Sequence, residues 1–506
     1  MSEINPAAQD PAVPPGDEVT VAGASLSTDI LNLGRQSLAY VVGHLATRAV
    51  SFLLLPLYTN ALAPAEMGIL SLAFAFSAFG LIVFNLGLDS ALMRYYVGEP
   101  KNRQREVLAT VYFSLVLVGL VLSAILLSLS PRLATGVLAV DRPDWITILI
   151  AIMFLDTLWT VPMHLFRAHQ RPASYIIFSL LNVSITMGLN ILLVAHYRLG
   201  VEGALLANLA ASGTLFVLSL PATIRWMWPL TYSFATLRTL LRFGLPLLVA
   251  GLFTMTIELA DRYFLRWLTD LQTVGIYSAG YKLGLLMLIV VMGFTLGWQP
   301  FLLRRGKEAG ARQVFARIAT YLVAIMATLL LTAAAWVDEL VRLPLGRFTL
   351  FGQDYWSSTP IVPIVMLGYL FFGLYVLLMP GILLAERTRW VILFRFSGAA
   401  TNVGLNLMLI PILGAMGAAV ATCVSFAVMA LFTFLIIQRV YPIPFEWGRL
   451  ARIAALVTLG LLLLYGLEPS LGRDLALTFL VPLGLWLSGA LTPEERRTVR
   501  HLVRRS

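Results

Sequence analysis

The residues able to do chemistry in this chain are the charges that interrupt its apolar stretches. Arg48 lies part-way along one long apolar run, with His44 one helical turn earlier on the same face. Glu258, Asp261 and Arg262 interrupt a second run, with Glu258 and Asp261 three residues apart on one helix face. Lys282 interrupts the next run, and Asp89 and Asp156 lie in two others. A charge inside an apolar helix persists when it is paired, hydrated or in contact with a charged ligand. Cations with carboxylates nearby predict a hydrated cavity suited to an anionic group. Arginine suits phosphate in particular, because its planar fork bonds two oxygens at once. Each residue also has a purely structural reading. Asp261 and Arg262 can form an ion pair at a helix end, and Arg48 can pair with a distant acid. His44 can be a hydrogen-bonded core residue, and Asp89 and Asp156 can join neighbouring helices. The candidate cavity set is Arg48, Arg262, Lys282, Asp261, Glu258 and His44.

The segments that must position these residues are membrane spans. The 506 residues are 59% hydrophobic and only 12% charged, with a mean hydropathy of +0.85. A soluble chain carries about 25% charged residues. Apolar runs of about 20 residues recur, each long enough to cross a bilayer as a helix. They lie near 36–60, 66–90, 107–130, 144–166, 173–196, 201–224, 240–266, 273–298, 314–336, 357–384, 390–412, 414–438, 449–466 and 474–490. The expected class is an all-α polytopic membrane protein with about fourteen transmembrane helices.

The chain also carries a faint copy of itself. Gly188-Leu-Asn190-Ile-Leu-Leu-Val194, then Gly203-Ala-Leu-Leu-Ala207, is echoed by Gly404-Leu-Asn406-Leu-Met-Leu-Ile410, then Gly417-Ala-Ala-Val-Ala421. Ala63-Pro-Ala-Glu66-Met-Gly68-Ile-Leu-Ser71 is echoed by Asp270-Leu-Gln-Thr-Val-Gly275-Ile-Tyr-Ser278. Repeats of about 200 residues in a membrane protein point to two lobes with a path between them. The first and seventh spans then occupy equivalent places, so Arg48 and Arg262 would face each other. Asn190 and Asn406 hold matching positions, as polar glue between helices would. The expected division is a disordered cytoplasmic tail (1–27), a six-helix lobe (28–235), a second six-helix lobe (236–445), two extra spans (446–490) and a basic cytoplasmic tail (491–506).

Alternate loops are basic. Arg94, Lys101, Arg103 and Arg105 fall in one, Arg225, Arg238 and Arg242 in another, and Arg304, Arg305, Lys307, Arg312 and Arg317 in a third. The intervening loops hold few cations, so both termini are expected in the cytoplasm. The net charge of +10 is mostly this topology. Scattered over separate loops, the cations make no nucleic-acid patch. Residues 1–27 lack a basic start followed by an apolar stretch, so no cleavable signal peptide is expected. Cys423 is the only cysteine and the five histidines lack metal-ligand spacing, so no metal site or cofactor is expected. There is no Gly-rich phosphate loop of the Walker type. The external loops are short, the longest near 337–356, which weighs against a membrane glycosyltransferase, polymerase or ligase.

Leu55-Pro-Leu-Tyr58-Thr59 with Ala63-Pro-Ala-Glu-Met-Gly68, Arg242-Phe-Gly-Leu-Pro-Leu-Leu248, Asp261-Arg-Tyr-Phe-Leu265, Val274-Gly-Ile-Tyr-Ser278 and Trp298-Gln-Pro-Phe301 together resemble the bacterial polysaccharide flippases over about residues 30 to 440. That family is related to multidrug and toxin extrusion (MATE) transporters and to lipid II flippases. The resemblance implies two six-helix bundles around a central cavity, working by alternating access. It implies transport of undecaprenyl-diphosphate-linked oligosaccharide repeat units across the cytoplasmic (inner) membrane for surface polysaccharide synthesis. No catalytic residues are expected. A proton or sodium gradient is a candidate drive, membrane lipids are expected neighbours, and a polysaccharide polymerase with its chain-length machinery are candidate partners. The alternatives are a drug or metabolite exporter of the same fold, or a membrane enzyme of the pathway.

The alternation of loop charge predicts that a reporter at residue 310 faces the cytoplasm and one at residue 350 faces outward. Cysteine labelling in intact cells checks this, and exchanged accessibility at the two positions contradicts it.

Overall fold

The computed structural model describes residues 52–305, 308, 310–346, 348–384 and 390–487. The two expected tails lie outside the described residues, and so does most of the first expected span. That span is described only in α1 (Phe52–Ala61). α2 (Pro64–Asn85) and α3 (Leu88–Tyr96) together make the second. α4 (Lys101–Ser128), a single turn α5 (Ser130–Leu133), α6 (Pro143–Ala168), α7 (Pro172–Asn190) with a π-helical end (Ile191–His196) and α8 (Gly200–Met227) complete the first lobe. The second lobe holds α9 (Phe234–Leu268), α10 (Leu271–Gly284), α11 (Leu286–Arg305), α12 (Ala311–Arg342), α13 (Val362–Leu384), α14 (Trp390–Leu413) and α15 (Ala415–Val440). α16 (Trp447–Gly466) and α17 (Leu471–Leu487) follow, packing on each other and on α12. Among the described residues, 12 helices are long and apolar enough to cross a membrane. α17, of 17 residues, is shorter than these. The chain is a multi-pass membrane protein with two six-helix repeats and two appended helices.

Two expected spans are broken helices. Leu86 and Gly87 both have left-handed backbone (φ 52° and 69°) and part α2 from α3. Gly87 is needed there twice over, because a Cβ on it would stand 2.3 Å from the Gly244 carbonyl oxygen of α9. The eighth span bends at Leu285, between α10 and α11. The expected outer segment near 337–356 is partly ordered. α12 runs on to Arg342, a short antiparallel hairpin pairs Pro344–Leu345 with Phe348–Thr349, and a 3-10 helix occupies Gln353–Ile361.

The repeat motifs are packing devices. In the first lobe Gly203 sits against the carbonyl of Leu193, and in the second Gly417 sits against the carbonyl of Leu409. The other motif is a helix start. In one copy the Glu66 side chain reaches back to accept from the Ala63 N–H at 2.9 Å, and in the other Asp270 accepts from the Thr273 N–H at 2.8 Å. Each start places a glycine one turn into its helix, and the two glycines meet. A Cβ on Gly275 would stand 1.8 Å from the Pro64 carbonyl oxygen, and one on Gly68 would stand 2.2 Å from that of Leu271. This crossing of α2 and α10 is the most extensive contact between the lobes.

Hydrogen bonds join the lobes at the same end. Tyr355 donates to the Leu62 carbonyl at 2.9 Å, and Asn60 donates to the Thr349 carbonyl at 2.8 Å. A Cβ on Gly352 would fall 2.0 Å from the Thr59 carbonyl oxygen. The loops here are the cation-poor ones. Arg142 is tied to Asp144 and Glu202 at 2.7 Å each, and those two carboxylates raise its pKa above the ordinary guanidinium value.

The α2–α10 crossing leaves no space for a methyl group, and backbone cannot fold away as a long side chain can. Overpacking costs about 1–3 kcal/mol, so Gly275→Ala shifts the protein from the state closed at this end by roughly 5- to 150-fold. With Cys423 replaced by Ala and a reporter cysteine at Ser71, an impermeant thiol reagent added to intact cells is expected to label Gly275→Ala cells faster than the parent. Equal labelling contradicts this account of the crossing.

Candidate functional site

A cavity of about 440 Å³ lies between the lobes, walled by α1, α2, α7, α8, α9 and α10. Of the six sequence candidates, Arg262 and Lys282 line it. His44 and Arg48 lie outside the described residues. Asp261 and Glu258 are not among the lining residues. Lys282 stands roughly 16 Å along its helix from Leu271 at 1.5 Å per residue. That is half the thickness of a hydrocarbon core of about 30 Å.

The two lining cations differ in kind. Arg262 belongs to a closed network: its Nη1 donates to Asp261 Oδ1 at 2.9 Å and to the Glu258 carbonyl at 2.7 Å. Asp261 is fully buried and also accepts from its neighbour's backbone N–H and from the Tyr277 hydroxyl. The guanidinium stacks 4.7 Å from the Tyr281 ring centroid, and Tyr281 shares a 2.9 Å hydrogen bond with Tyr369. The geometry matches the ion-pair reading, with one face of Arg262 still reaching the cavity. Lys282 has no ion pair or hydrogen bond among the described residues. Its recorded contact is the Tyr58 ring, 5.5 Å from the ammonium. Tyr58 is held in place by its hydroxyl, which donates to Asn190 Oδ1 at 2.7 Å.

Of the two acids expected to join helices, Asp156 accepts from Trp159 Nε1 at 2.7 Å within its own helix, with Ser212 of α8 beside its carboxyl. Asn190 and Asn406 are completely buried, but only Asn190 joins helices, accepting from Tyr58 of α1; the bond from Asn406 goes to Asn402 of its own helix.

The opposite wall was not among the sequence candidates. Ser71 of α2, Asn182 and Thr186 of α7 and Asn208 of α8 line the cavity. The signal for part of it was present: Asn182, Thr186 and Asn190 form a polar stripe one turn apart along an otherwise apolar helix. Among the described residues no cluster of His, Cys, Asp and Glu could hold a metal ion.

A two-lobed membrane bundle with a cavity that is cationic on one wall and neutral but polar on the other defines a class of carrier-like folds. The chain matches the family model described as "Polysaccharide biosynthesis protein" over residues 33–304, and it belongs to that family. Its fold is shared with solved structures. A lipid II flippase, MurJ, in an inward closed conformation superposes with a TM-score of 0.69 at 14% identity, covering 89% of this chain and 98% of that one. An inward-facing multidrug-resistance MATE family transporter of the MOP superfamily gives 0.63 at 15% identity, covering 81% and 95%. No curated protein sequence matches the chain.

The two cations predict opposite mutational behaviour. Asp261→Ala leaves Arg262 buried without its anion and is expected to cost about 3–5 kcal/mol, lowering membrane abundance and melting temperature. Lys282→Ala removes an unpaired charge and is expected to leave both near the parental level while abolishing function. Thermal melts of the purified variants together with surface-polysaccharide measurements check this. A strongly destabilised Lys282→Ala contradicts it.

Proposed function

We propose that this protein is a flippase that moves undecaprenyl-diphosphate-linked oligosaccharide repeat units across the bacterial cytoplasmic membrane for surface polysaccharide synthesis. The observation that carries the reading is Lys282, an ammonium in a cavity between two repeats with no ion pair or hydrogen bond among the described residues. Such a charge is costly unless an anion or water accompanies it. A diphosphate supplies the anion. Arg262 adds a second positive face, and Arg48 stands as a further proposed contact from the equivalent span of the first lobe. Membership of a polysaccharide biosynthesis family and a fold shared with a lipid II flippase support the same substrate class.

The cationic wall disfavours the alternative of a cationic-drug exporter, because like charges repel across a low-dielectric cavity. Transport would proceed by opening the α2–α10 end while the opposite end closes, driven by a proton or sodium gradient. Both termini would lie in the cytoplasm. A polymerase and its chain-length machinery would take the delivered units.

Cells lacking the protein are expected to accumulate lipid-linked repeat units on the cytoplasmic face and to lose surface polysaccharide. Restoring the wild-type chain recovers export and restoring Lys282→Ala does not. Extracting the glycolipids and probing their sidedness checks this. Failure to assemble the lipid-linked unit at all would sink the flippase reading in favour of an enzyme, and intact polysaccharide with new drug sensitivity would favour an exporter.

A further inference from the structure

The repeat is kept in the sequence but broken at the cavity, and the break has a chemical direction. The register that pairs Asn190 with Asn406 also pairs Asn182 with Gly398 and Thr186 with Asn402. The register that pairs Gly203 with Gly417 pairs Asn208 with Thr422. In the second lobe these positions are sealed. A Cβ on Gly398 would meet Ile257 at 2.7 Å. Asn402 and Thr422 are 0% and 1% exposed and bond to each other, and Asn402 also takes a hydrogen bond from Asn406. A lobe of this kind therefore holds together with no amide at the Asn182 position.

In the first lobe the same positions open into the cavity. The Asn182 carbonyl oxygen accepts from Thr186 at 3.2 Å, which leaves its amide N–H groups without a partner among the described residues. Asn208 is oriented the other way: its N–H donates to the Ala204 carbonyl at 2.8 Å, leaving its carbonyl oxygen free to accept. The wall thus presents a fixed donor and a fixed acceptor, opposite the cations of Lys282 and Arg262. A sugar hydroxyl or acetamido group both donates and accepts, and a phosphate only accepts.

We infer that Asn182 and Asn208 are specificity-determining residues that read the sugar attached to the diphosphate, the anion being held at Lys282 and Arg262. The inference rests on the reading of the protein as a lipid-linked oligosaccharide flippase and adds where the two ends of the head group lie. A built-in division follows. The cations of α9 and α10 take the part common to all such substrates, and the amides of α7 and α8 take the part that differs.

Binding to the purified full-length protein tests it, with two probes: undecaprenyl diphosphate, and the glycolipid extracted from cells lacking the protein. The Asn182→Ala, Asn208→Ala double variant is expected to lose about tenfold in affinity for the glycolipid, the value of about two hydrogen bonds. Its affinity for undecaprenyl diphosphate stays unchanged, which also reports an intact fold. Lys282→Ala weakens both probes. If the double variant weakens both probes equally, or neither, the sugar-reading role is overturned while the flippase reading stands. If the wild-type protein binds neither probe, or the cells accumulate no glycolipid, the flippase reading fails and takes this inference with it.

Discussion

A charge at membrane depth must be paired, hydrated or matched by a ligand, and the organisation of the second lobe follows from that requirement. Asp261 and Arg262 meet it internally. Their pair is wrapped by Tyr277, Tyr281 and Tyr369, which bring α9, α10 and α13 together. Lys282, one turn beyond Ser278 on α10 and facing the cavity, does not meet it with any described residue. The same physics leaves one cation anchored in a pair and its neighbour without one among the described residues.

The second constraint is the close approach of two backbones. Gly68 and Gly275 are related by the repeat, and the structure stacks them against each other's helix. Without a hydrophobic drive between helices in lipid, small residues at the crossing provide the van der Waals contact. A contact of this kind, centred on two glycine backbones with apolar side chains around it, closes one end of the cavity without welding it. It suits an interface that must part and re-form.

Much of this was legible in the sequence. Among the described residues, apolar runs placed the spans to within about two turns, because the bilayer fixes a minimum length but not where a helix ends beyond it. The repeat predicted two lobes, and its pairs Gly68/Gly275 and Gly203/Gly417 proved to be packing points, whereas Gly188 and Gly404 have open space beside them. The broken second and eighth spans were not legible, because no proline marks Leu86 or Leu285, and glycines as isolated as Gly87 and Gly284 also sit inside unbroken helices elsewhere in the chain. At the site, charge was readable and its use was not. Sequence could not say that Asp261 would be sealed while Lys282 faced open space. The amide wall was overlooked because Asn182 and Asn208 carry no charge, and polar stripes on membrane helices more often serve as glue, as Asn190 does.

Whether a cation-walled cavity between two repeats carries lipid-linked sugar across the membrane can be measured directly. The purified chain is reconstituted into vesicles loaded on one leaflet with the undecaprenyl-diphosphate glycolipid from deletion cells. The account predicts protein-dependent appearance of the sugar on the opposite leaflet, and its loss in Lys282→Ala at equal protein content. Movement no faster than in protein-free vesicles, or undiminished by Lys282→Ala, would contradict it.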